Sequence, residues 1–186
     1  MRLMAITIFD YFKDRLSSLE NNYLEIGIWH GTSVSELAKL FPNKTIYAID
    51  PFIEDGFTSH ESSIQQGDQL SDNRNIVLEN IKGLTNLHLY EMTSKDFFDS
   101  LTQDTISQMN VSHVMIDGSH HYDDVILDTQ LAMTVIGNKA GTVAFDDTNL
   151  EGVEKAMNEF HSNTLDRIES FEDMHPNTRI YKIKSL

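Results

Sequence analysis

The segment from residue 23 to residue 50, YLEIGIWHGTSVSELAKLFPNKTIYAID, constrains the fold of this chain more than any other. The apolar run Tyr23–Ile28 predicts a short buried strand. Apolar residues within Ser33–Phe41 recur at helical spacing, and the apolar run Thr45–Ile49 predicts a second strand. A strand, a glycine turn, a helix and a strand that ends in an acid are typical of a nucleotide-binding βαβ unit.

Three residues of this unit indicate a ligand. Gly27 and Gly31 allow the backbone to approach a bound molecule closely, and the helix that follows offers free N–H groups and positive potential at its N-terminus. Asp50 follows Gly27 by 23 residues. That spacing is close to the value of about 20 at which an acidic residue accepts the hydroxyls of a ribose.

Strands and helices alternate along the rest of the chain, which predicts a Rossmann-like, doubly wound α/β sheet in three αβα layers. We expect this sheet to be mostly parallel and to end in an antiparallel C-terminal hairpin. We also expect one domain over residues 1–186, with an N-terminal helix within residues 1–20 and a candidate active-site loop at 51–75. The other predicted elements are helices at Ile76–Lys82, Ser94–Gln108, Tyr122–Ile136 and Leu150–His161, and strands at Leu87–Met92, Val111–Ile116, Gly141–Phe145, Thr164–Phe171 and Thr178–Ile183.

The composition excludes several classes of function. With 14 basic and 29 acidic residues, the formal net charge of −15 disfavours binding to nucleic-acid phosphates and to anionic membrane surfaces. There are no cysteines, so thiolate catalysis, disulfides and zinc–cysteine sites are excluded, which agrees with a cytoplasmic location. The apolar stretch Leu3–Phe9 is too short to span a membrane. We therefore expect no nucleic-acid partner and no membrane association.

Aspartates follow the predicted strands at their carboxyl ends. Asp50 ends strand two, Asp117 ends strand four, and Asp146 and Asp147 end strand five. In an open parallel sheet, ligands bind beyond these ends. A single aspartate at such a position could equally be a helix cap or a turn former. Repetition of the pattern at several strand ends favours a ligand site.

The glycine turn does not have the G-x-G-x-x-G spacing of nicotinamide-binding proteins. Its sequence, Glu25-x-Gly27-x-x-x-Gly31, resembles the first motif of class I S-adenosylmethionine-dependent methyltransferases. The segment IDGSHHYDDV at 116–125 is similar to the DG-x-H-x-Y segment after strand four in the small-molecule and sugar O-methyltransferases of family 24. The segment GTVAFDDTN at 141–149 resembles their fifth strand.

The resemblance extends over residues 23–160 and implies a site for S-adenosylmethionine along the strand ends. Its contacts would come from the first motif, the end of strand two, the turn after strand three and the end of strand four. By the resemblance, the methionine end of S-adenosylmethionine would contact Glu25, Gly27 and Gly31. Its ribose would contact Asp50, and its adenine would contact Thr93 and Ser94. Asp117 would also lie beside the cofactor.

The resemblance also implies a divalent cation. Asp117, Asp146 and Asp147 match positions that bind a metal ion, usually Mg²⁺, in this group of O-methyltransferases. Magnesium prefers oxygen ligands and keeps some of its waters. It would lower the pKa of a bound hydroxyl and orient its oxygen. The implied reaction is metal-assisted O-methylation of a small hydroxylated acceptor such as a sugar or natural product.

One residue departs from the pattern of some metal-dependent relatives. Ser119 stands where they have a D-G-D aspartate that acts as general base, and serine is a poor base. His120 matches the family's histidine, so we assign the catalytic roles to His120 and Asp117. A neutral imidazole can accept a proton near neutral pH. His121 is an alternative base, and a surface or supporting role stays open for both histidines.

Other functions stay open at this point. An NAD-linked oxidoreductase or epimerase would use the same fold, and so would a non-catalytic cofactor-binding module. Metal-free transfer to nitrogen or to a protein side chain is also possible within the methyltransferases.

Because little chain precedes the first strand, either the 51–75 loop or a second subunit would cover the site, and we expect a homodimer.

Overall fold

The computed structural model of the protein describes residues 10–14, 16, 21–52, 70–175 and 177–186. These residues form a seven-stranded sheet in the order β3-β2-β1-β4-β5-β7-β6, in which β1 to β5 run parallel and β7 is antiparallel to β5 and β6. The strands are β1 Asn22–Ile26, β2 Ile46–Ile49, β3 Leu87–Tyr90, β4 Val111–Ile116, β5 Gly141–Phe145, β6 Ile168–His175 and β7 Thr178–Ile183.

Helices connect the parallel strands, as a doubly wound sheet requires. Residues 10–14 and 16 are also helical and precede β1. The predicted Rossmann-like α/β fold with an antiparallel C-terminal hairpin is confirmed. The helices are α1 Thr32–Leu40, α2 Leu70–Asn80, α3 Ser94–Ser100, α4 Gln103–Met109, α5 Tyr122–Ile136 and α6 Glu151–Asn163.

The sheet is buried on both faces, which explains why its central strands are almost continuously apolar. On one face, Ile26, Ile116 and Phe145 belong to a core cluster that also includes apolar residues of α5 and α6. On the other face, Met115 and Ala144 belong to a cluster that includes residues of α1 and of the helical segment at 10–16. Alternate residues of each strand therefore enter different cores.

The register of the parallel strands brings their carboxyl ends to one edge of the sheet. Ile26 pairs with Ile49 and Ile116, and Ile116 pairs with Phe145. The ladder continues one residue further, since Asp117 N donates to Ile26 O at 2.8 Å and Asp146 N donates to Ile116 O at 3.0 Å. We call this side of the molecule the carboxyl edge.

The prediction of a single helix at 94–108 is wrong, because this segment forms two helices, α3 and α4. Leu101 is extended, with φ −70° and ψ 135°, and Thr102 begins a new helix through a capping box with Thr105. Threonine side chains bond to nearby backbone N–H groups and so favour helix starts over helix interiors. A capping pair inside an apolar periodic pattern therefore interrupts the helix.

Other boundaries also differ from prediction. Helix α2 begins at Leu70, so the end of the predicted 51–75 loop is helical, while residues 53–69 lie outside the described residues. Strand β6 begins at Ile168 and not at Thr164, because Arg167 N bonds to Thr164 O at 2.8 Å and closes a turn. The predicted N-terminal helix within residues 1–20 is described only at residues 10–14 and 16, which are helical.

Within the described part of the chain, the helices are all too short or too polar to cross a membrane.

Candidate active site

The backbone at Gly27 passes directly against the end of β4. Gly27 has φ 81°, and a Cβ added there would lie 2.5 Å from Gly118 Cα and closer still to the carbonyl oxygen of Asp117. Both obstacles are backbone atoms, so a side chain cannot be accommodated by a rotamer change. Glycine is therefore required here both for its left-handed conformation and for the close approach of the two loops.

Gly31 forms the other end of the turn. It has φ 67° and is the N-cap of α1, where it supplies no side-chain capping bond. The first N–H groups of a helix lack intrahelical partners, so the start of α1 offers donors and positive potential towards the carboxyl edge. A Cβ on Gly31 would lie 3.3 Å from Val77, which shows how closely α2 packs behind this turn.

Glu25 is a buried acid directly before the turn. Its side chain is 4% exposed, and it accepts hydrogen bonds from Tyr23 Oη at 2.7 Å and from Ser33 Oγ. Burial raises its pKa to about 7, the bonds from Ser33 and Tyr23 oppose that rise, and the nearby Asp146 adds to it. Glu25 is therefore fixed in position and can change charge near neutral pH.

Asp50 connects the ends of β1 and β2. Its Oδ2 accepts from Ile28 N at 3.0 Å, and its Oδ1 accepts from Phe52 N at 2.9 Å. A carboxylate has about four acceptor positions, and the bonds from the described residues occupy two of them. This arrangement suits a residue that holds the two hydroxyls of a ribose.

The loop after β4 is held by α5 and α6. Ser119 Oγ donates to Asp124 Oδ2 at 2.7 Å and accepts from His121 N at 3.2 Å. A Cβ on Gly152, in the first turn of α6, would overlap the carbonyl oxygen of His120. Gly152 thus allows α6 to pack closely against the loop. Ser119, which stands where some relatives have an aspartate base, has a structural role in this loop.

His120 faces Asp147 across the carboxyl edge. His120 Nε2 lies 3.3 Å from Asp147 Oδ2, and the two side chains are 24% and 13% exposed. Asp147 has φ 50°, a left-handed conformation that is uncommon for a residue with a side chain. The structure therefore joins the ends of β4 and β5 through an imidazole and a carboxylate.

The three predicted magnesium ligands follow two paired strands, but the structure gives no support for a cation there. Asp117 and Asp146 follow paired strands, yet Asp146 Oδ1 accepts from Thr178 Oγ1 at 2.8 Å, while Asp147 faces His120. Among the described residues, no group of three histidine or acidic side chains is arranged to hold a metal ion. The geometry does not support the predicted magnesium site.

The predicted adenine contacts, Thr93 and Ser94, both have intramolecular roles. Thr93 caps α3, accepting from Asp96 N at 3.1 Å and donating to the Asp96 carboxylate at 2.7 Å. The hydroxyl of Ser94 lies near the carboxyl of Asp128, which is 1% exposed. Burial raises the pKa of Asp128 to about 7, the Ser94 hydroxyl opposes the rise, and Asp124 adds to it.

Comparison with known families assigns the chain. The family 24 profile with the description "Methyltransferase domain" matches residues 24–148, which contain the glycine turn and both loops of the site. The chain belongs to this methyltransferase family. It is an enzyme that uses S-adenosylmethionine as methyl donor, and this decides against the NAD-linked alternative. No curated protein sequence matches the chain.

Solved structures of other methyltransferases share the fold. The O-methyltransferase NovP is 13% identical, with a TM-score of 0.69 over 96% of this chain and 80% of that chain. A putative O-methyltransferase from Klebsiella pneumoniae is 11% identical, with a TM-score of 0.67 over 100% and 82%. The calicheamicin methyltransferase CalS11 is 14% identical, with a TM-score of 0.64 over 96% and 79%. At these identities the likeness concerns the fold alone.

The sequence analysis missed the residues of α2 that pack against the glycine turn of the methyltransferase site. Asn73 Oδ1 lies 3.0 Å from His30 Nε2, Asn80 donates to His30 O at 2.8 Å, and Val77 packs on Gly31. The spacing of Asn73, Val77 and Asn80 places them on one face of a helix. That spacing could have indicated a helix face that contacts the glycine turn, but only if α2 had been predicted to start at Leu70.

Proposed function

We propose that this methyltransferase transfers a methyl group to a hydroxyl of a small hydroxylated acceptor, such as a sugar or a natural product. The observation that carries the proposal is the His120–Asp147 pair, which lies at the carboxyl edge beside the glycine turn. A histidine held by a carboxylate is suited to accept the proton that a hydroxyl loses. The names of the similar structures, which are O-methyltransferases, support the same choice.

The residues of the glycine turn fit the methyl donor. Bound S-adenosylmethionine supplies an electrophilic methyl group on a sulfonium sulfur. Gly27 and Gly31 leave room at the start of α1 for its amino-acid end, and the Glu25 carboxylate lies beside that space. The Asp50 carboxylate would accept from the ribose hydroxyls. Contacts of this kind would fix the donor, so that positioning supplies much of the rate acceleration.

His120 removes the proton from the acceptor hydroxyl in this proposal. The contact at 3.3 Å between Nε2 and Asp147 Oδ2 holds the imidazole beside the carboxylate. Bound S-adenosylmethionine would supply the methyl group, which would leave its sulfur as the acceptor oxygen bonds to the methyl carbon. The neutral imidazole accepts the proton that the acceptor hydroxyl loses, and Asp147 stabilises the imidazolium.

The Ser119–Asp124 bond and Gly152 position this base. The bond fixes the loop on the α5 side, and the contact of Gly152 with the His120 carbonyl fixes it on the α6 side. Because both contacts are made by the neighbouring helices, the imidazole is held before the acceptor arrives. Preorganisation of this kind lowers the cost of reaching the transition state.

The test compares two adjacent histidines. His120→Asn should reduce kcat for methyl transfer by about 10²- to 10⁴-fold, the usual contribution of a general base, without changing the affinity for S-adenosylhomocysteine. His121→Asn is the matched control, because His121 is exposed and is the N-cap of α5 without a side-chain capping bond.

Binding of S-adenosylhomocysteine and of NAD is measured by calorimetry, each with Mg²⁺ or with EDTA. Turnover is measured under the same two conditions. Binding of NAD but not of S-adenosylhomocysteine would contradict the proposed function. Equal turnover of both histidine variants and the wild type would remove His120 from the mechanism. Loss of turnover in EDTA, restored by Mg²⁺, would show that a cation acts in a way the described residues do not explain.

A further inference from the structure

The tyrosine of the 116–125 segment takes no part in the proposed reaction, yet it makes specific contacts. Tyr122 is the first residue of α5 and follows His120 by two residues. Its hydroxyl donates to the carboxylate of Glu159, and the ammonium of Lys155 lies 3.9 Å from the centre of its ring. Both partners belong to α6. Tyr122 therefore attaches the start of α5 to α6, next to the proposed base.

The residues of α6 that make these contacts lie along one face of the helix. Gly152, Lys155 and Glu159 are separated by three and four positions, which places them on the same side. A Cβ on Gly152 would lie 3.0 Å from Tyr122 N and closer still to the carbonyl oxygen of His120. The neighbouring face of α6 is buried in the core. One face of α6 thus meets the backbone after β4 and the Tyr122 side chain together.

The contacts at Gly152 and at Tyr122 have different physical effects. Gly152 allows α6 to approach the loop, but a glycine without a side chain does not attract it. Tyr122 supplies the attraction, because a hydrogen bond to a carboxylate is charge-assisted and a cation is attracted to the face of an aromatic ring. The Lys155 and Glu159 side chains are exposed. These contacts can therefore be changed without opening a cavity in the core.

The position of α6 also affects the partner of the base. Leu150 is the N-cap of α6, and its N–H donates to the carbonyl oxygen of Asp147 at 2.9 Å. A single turn therefore connects Asp147 to the start of α6, while His120 lies just before Tyr122. The bond from Tyr122 to α6 thus joins the two segments that carry the His120–Asp147 pair, whose side chains are 3.3 Å apart.

We propose that Tyr122 is a positioning residue of this methyltransferase. By attaching α6 to the start of α5, it sets the distance and the angle at which the His120 imidazole faces Asp147. This inference rests on the proposed function, in which His120 is the base. The alternative is a contact that stabilises the packing of α5 on α6 and leaves the imidazole where it is. The two readings differ in one observable, which is the environment of the His120 ring.

The first test observes the imidazole directly and needs no acceptor. The Cε1–H signals of the histidines are recorded by ¹H–¹³C NMR for the protein alone and with S-adenosylhomocysteine, and the His120 signal is assigned by its loss in His120→Asn. Tyr122→Phe keeps the ring near Lys155 and removes the hydroxyl that bonds to Glu159, and Glu159→Ala removes the acceptor. Both variants should shift the His120 signal. The double variant should shift it no further than a single one, because both changes break the same bond.

Two more variants of α6 serve as controls. Glu159→Gln keeps an acceptor for the Tyr122 hydroxyl, so its His120 signal should stay close to that of the wild type. Glu154→Ala makes the same change as Glu159→Ala on the same helix. Glu154 is exposed and lines a groove together with Met174 and Arg179 of the β6–β7 hairpin, so this variant should leave the His120 signal unchanged.

Stability and turnover are measured on the same variants. The loss of one exposed hydrogen bond should change the unfolding equilibrium constant by about tenfold at most, as measured by urea denaturation. In the turnover assay used for His120→Asn, Tyr122→Phe should reduce kcat by about tenfold, because a misplacement of about 1 Å can cost about 10²-fold. The affinity for S-adenosylhomocysteine should not change.

The outcomes separate this inference from the proposed function. If S-adenosylhomocysteine does not bind, or if His120→Asn turns over as fast as the wild type, the proposed function fails. If the His120 signal is unchanged in Tyr122→Phe and Glu159→Ala, the contact only stabilises packing, and the inference is overturned while the proposed function stands. An equal shift in Glu154→Ala would also overturn it, since any charge removed from α6 would then act alike.

Discussion

The two glycines at positions 27 and 83 provide a direct test of how the site is built. Their φ angles are nearly identical, 81° and 80°, so alanine meets the same backbone strain at both. A Cβ at Gly83 has no heavy atom within 4 Å, whereas a Cβ at Gly27 would lie 2.5 Å from Gly118 Cα. The pair Gly27→Ala and Gly83→Ala therefore separates strain from close approach.

The expected magnitudes follow from these two terms. Left-handed backbone costs a residue with a Cβ about 1–2 kcal/mol, and this is the whole expected loss for Gly83→Ala. At Gly27 the added carbon also meets backbone that cannot rotate away, and overpacking adds about 1–3 kcal/mol or more. We expect Gly27→Ala to lose about 2–5 kcal/mol of unfolding free energy.

Urea denaturation followed by circular dichroism measures both losses, and calorimetry with S-adenosylhomocysteine measures the site. Gly83→Ala should keep wild-type affinity for the ligand. Gly27→Ala should lose both stability and affinity, because relief of the clash moves the glycine turn away from the β4 loop. Equal urea midpoints for the two variants would refute the close approach as the reason for Gly27.

Two further predictions concern pH. Asp128, whose pKa burial raises to about 7, is neutral in the folded chain at pH 5 but ionised in the unfolded one. Wild-type stability should thus fall by about 4 kcal/mol between pH 4 and 8 from this group. The fall measured by urea denaturation of Asp128→Asn should be smaller by that amount, because the buried Glu25 still contributes its own decline. Glu25 also has a pKa of about 7. The ammonium of S-adenosylhomocysteine favours its charged form, so the ligand's Kd should decrease as the pH rises through 7. In Glu25→Gln, calorimetry should find that dependence absent; a persisting slope would show that another group titrates.

Local signals were sufficient for the first βαβ unit, because its strand, turn and helix are each specified within a few residues. The apolar run before Gly27, the glycine turn at Gly31 and the acid Asp50 after the second strand are all where the sequence predicted them. The strand ends could also be grouped, since parallel strands present their carboxyl ends at one edge. The capping pair Thr102 and Thr105 was readable as well, but apolar periodicity concealed it.

Contacts between distant parts of the chain could not be read in the same way. Asn73 and Asn80 support the glycine turn only because α2 packs there, and Gly152 matters only because α6 meets the loop of His120. The magnesium prediction is unsupported for the same reason. A carboxylate's direction depends on its partner, and Thr178 provides that partner for Asp146. The homodimer, the cytoplasmic location and the absence of a nucleic-acid partner stay predictions.

The contact of Gly152 with the His120 carbonyl has a consequence for how this enzyme can diverge. A Cβ at position 152 would overlap the carbonyl oxygen of His120, so any other residue there would displace either α6 or the loop of His120. A substitution at Gly152 would therefore move that loop without changing any side chain in it. We expect position 152 to stay glycine while the exposed residues of α6 away from this loop diverge.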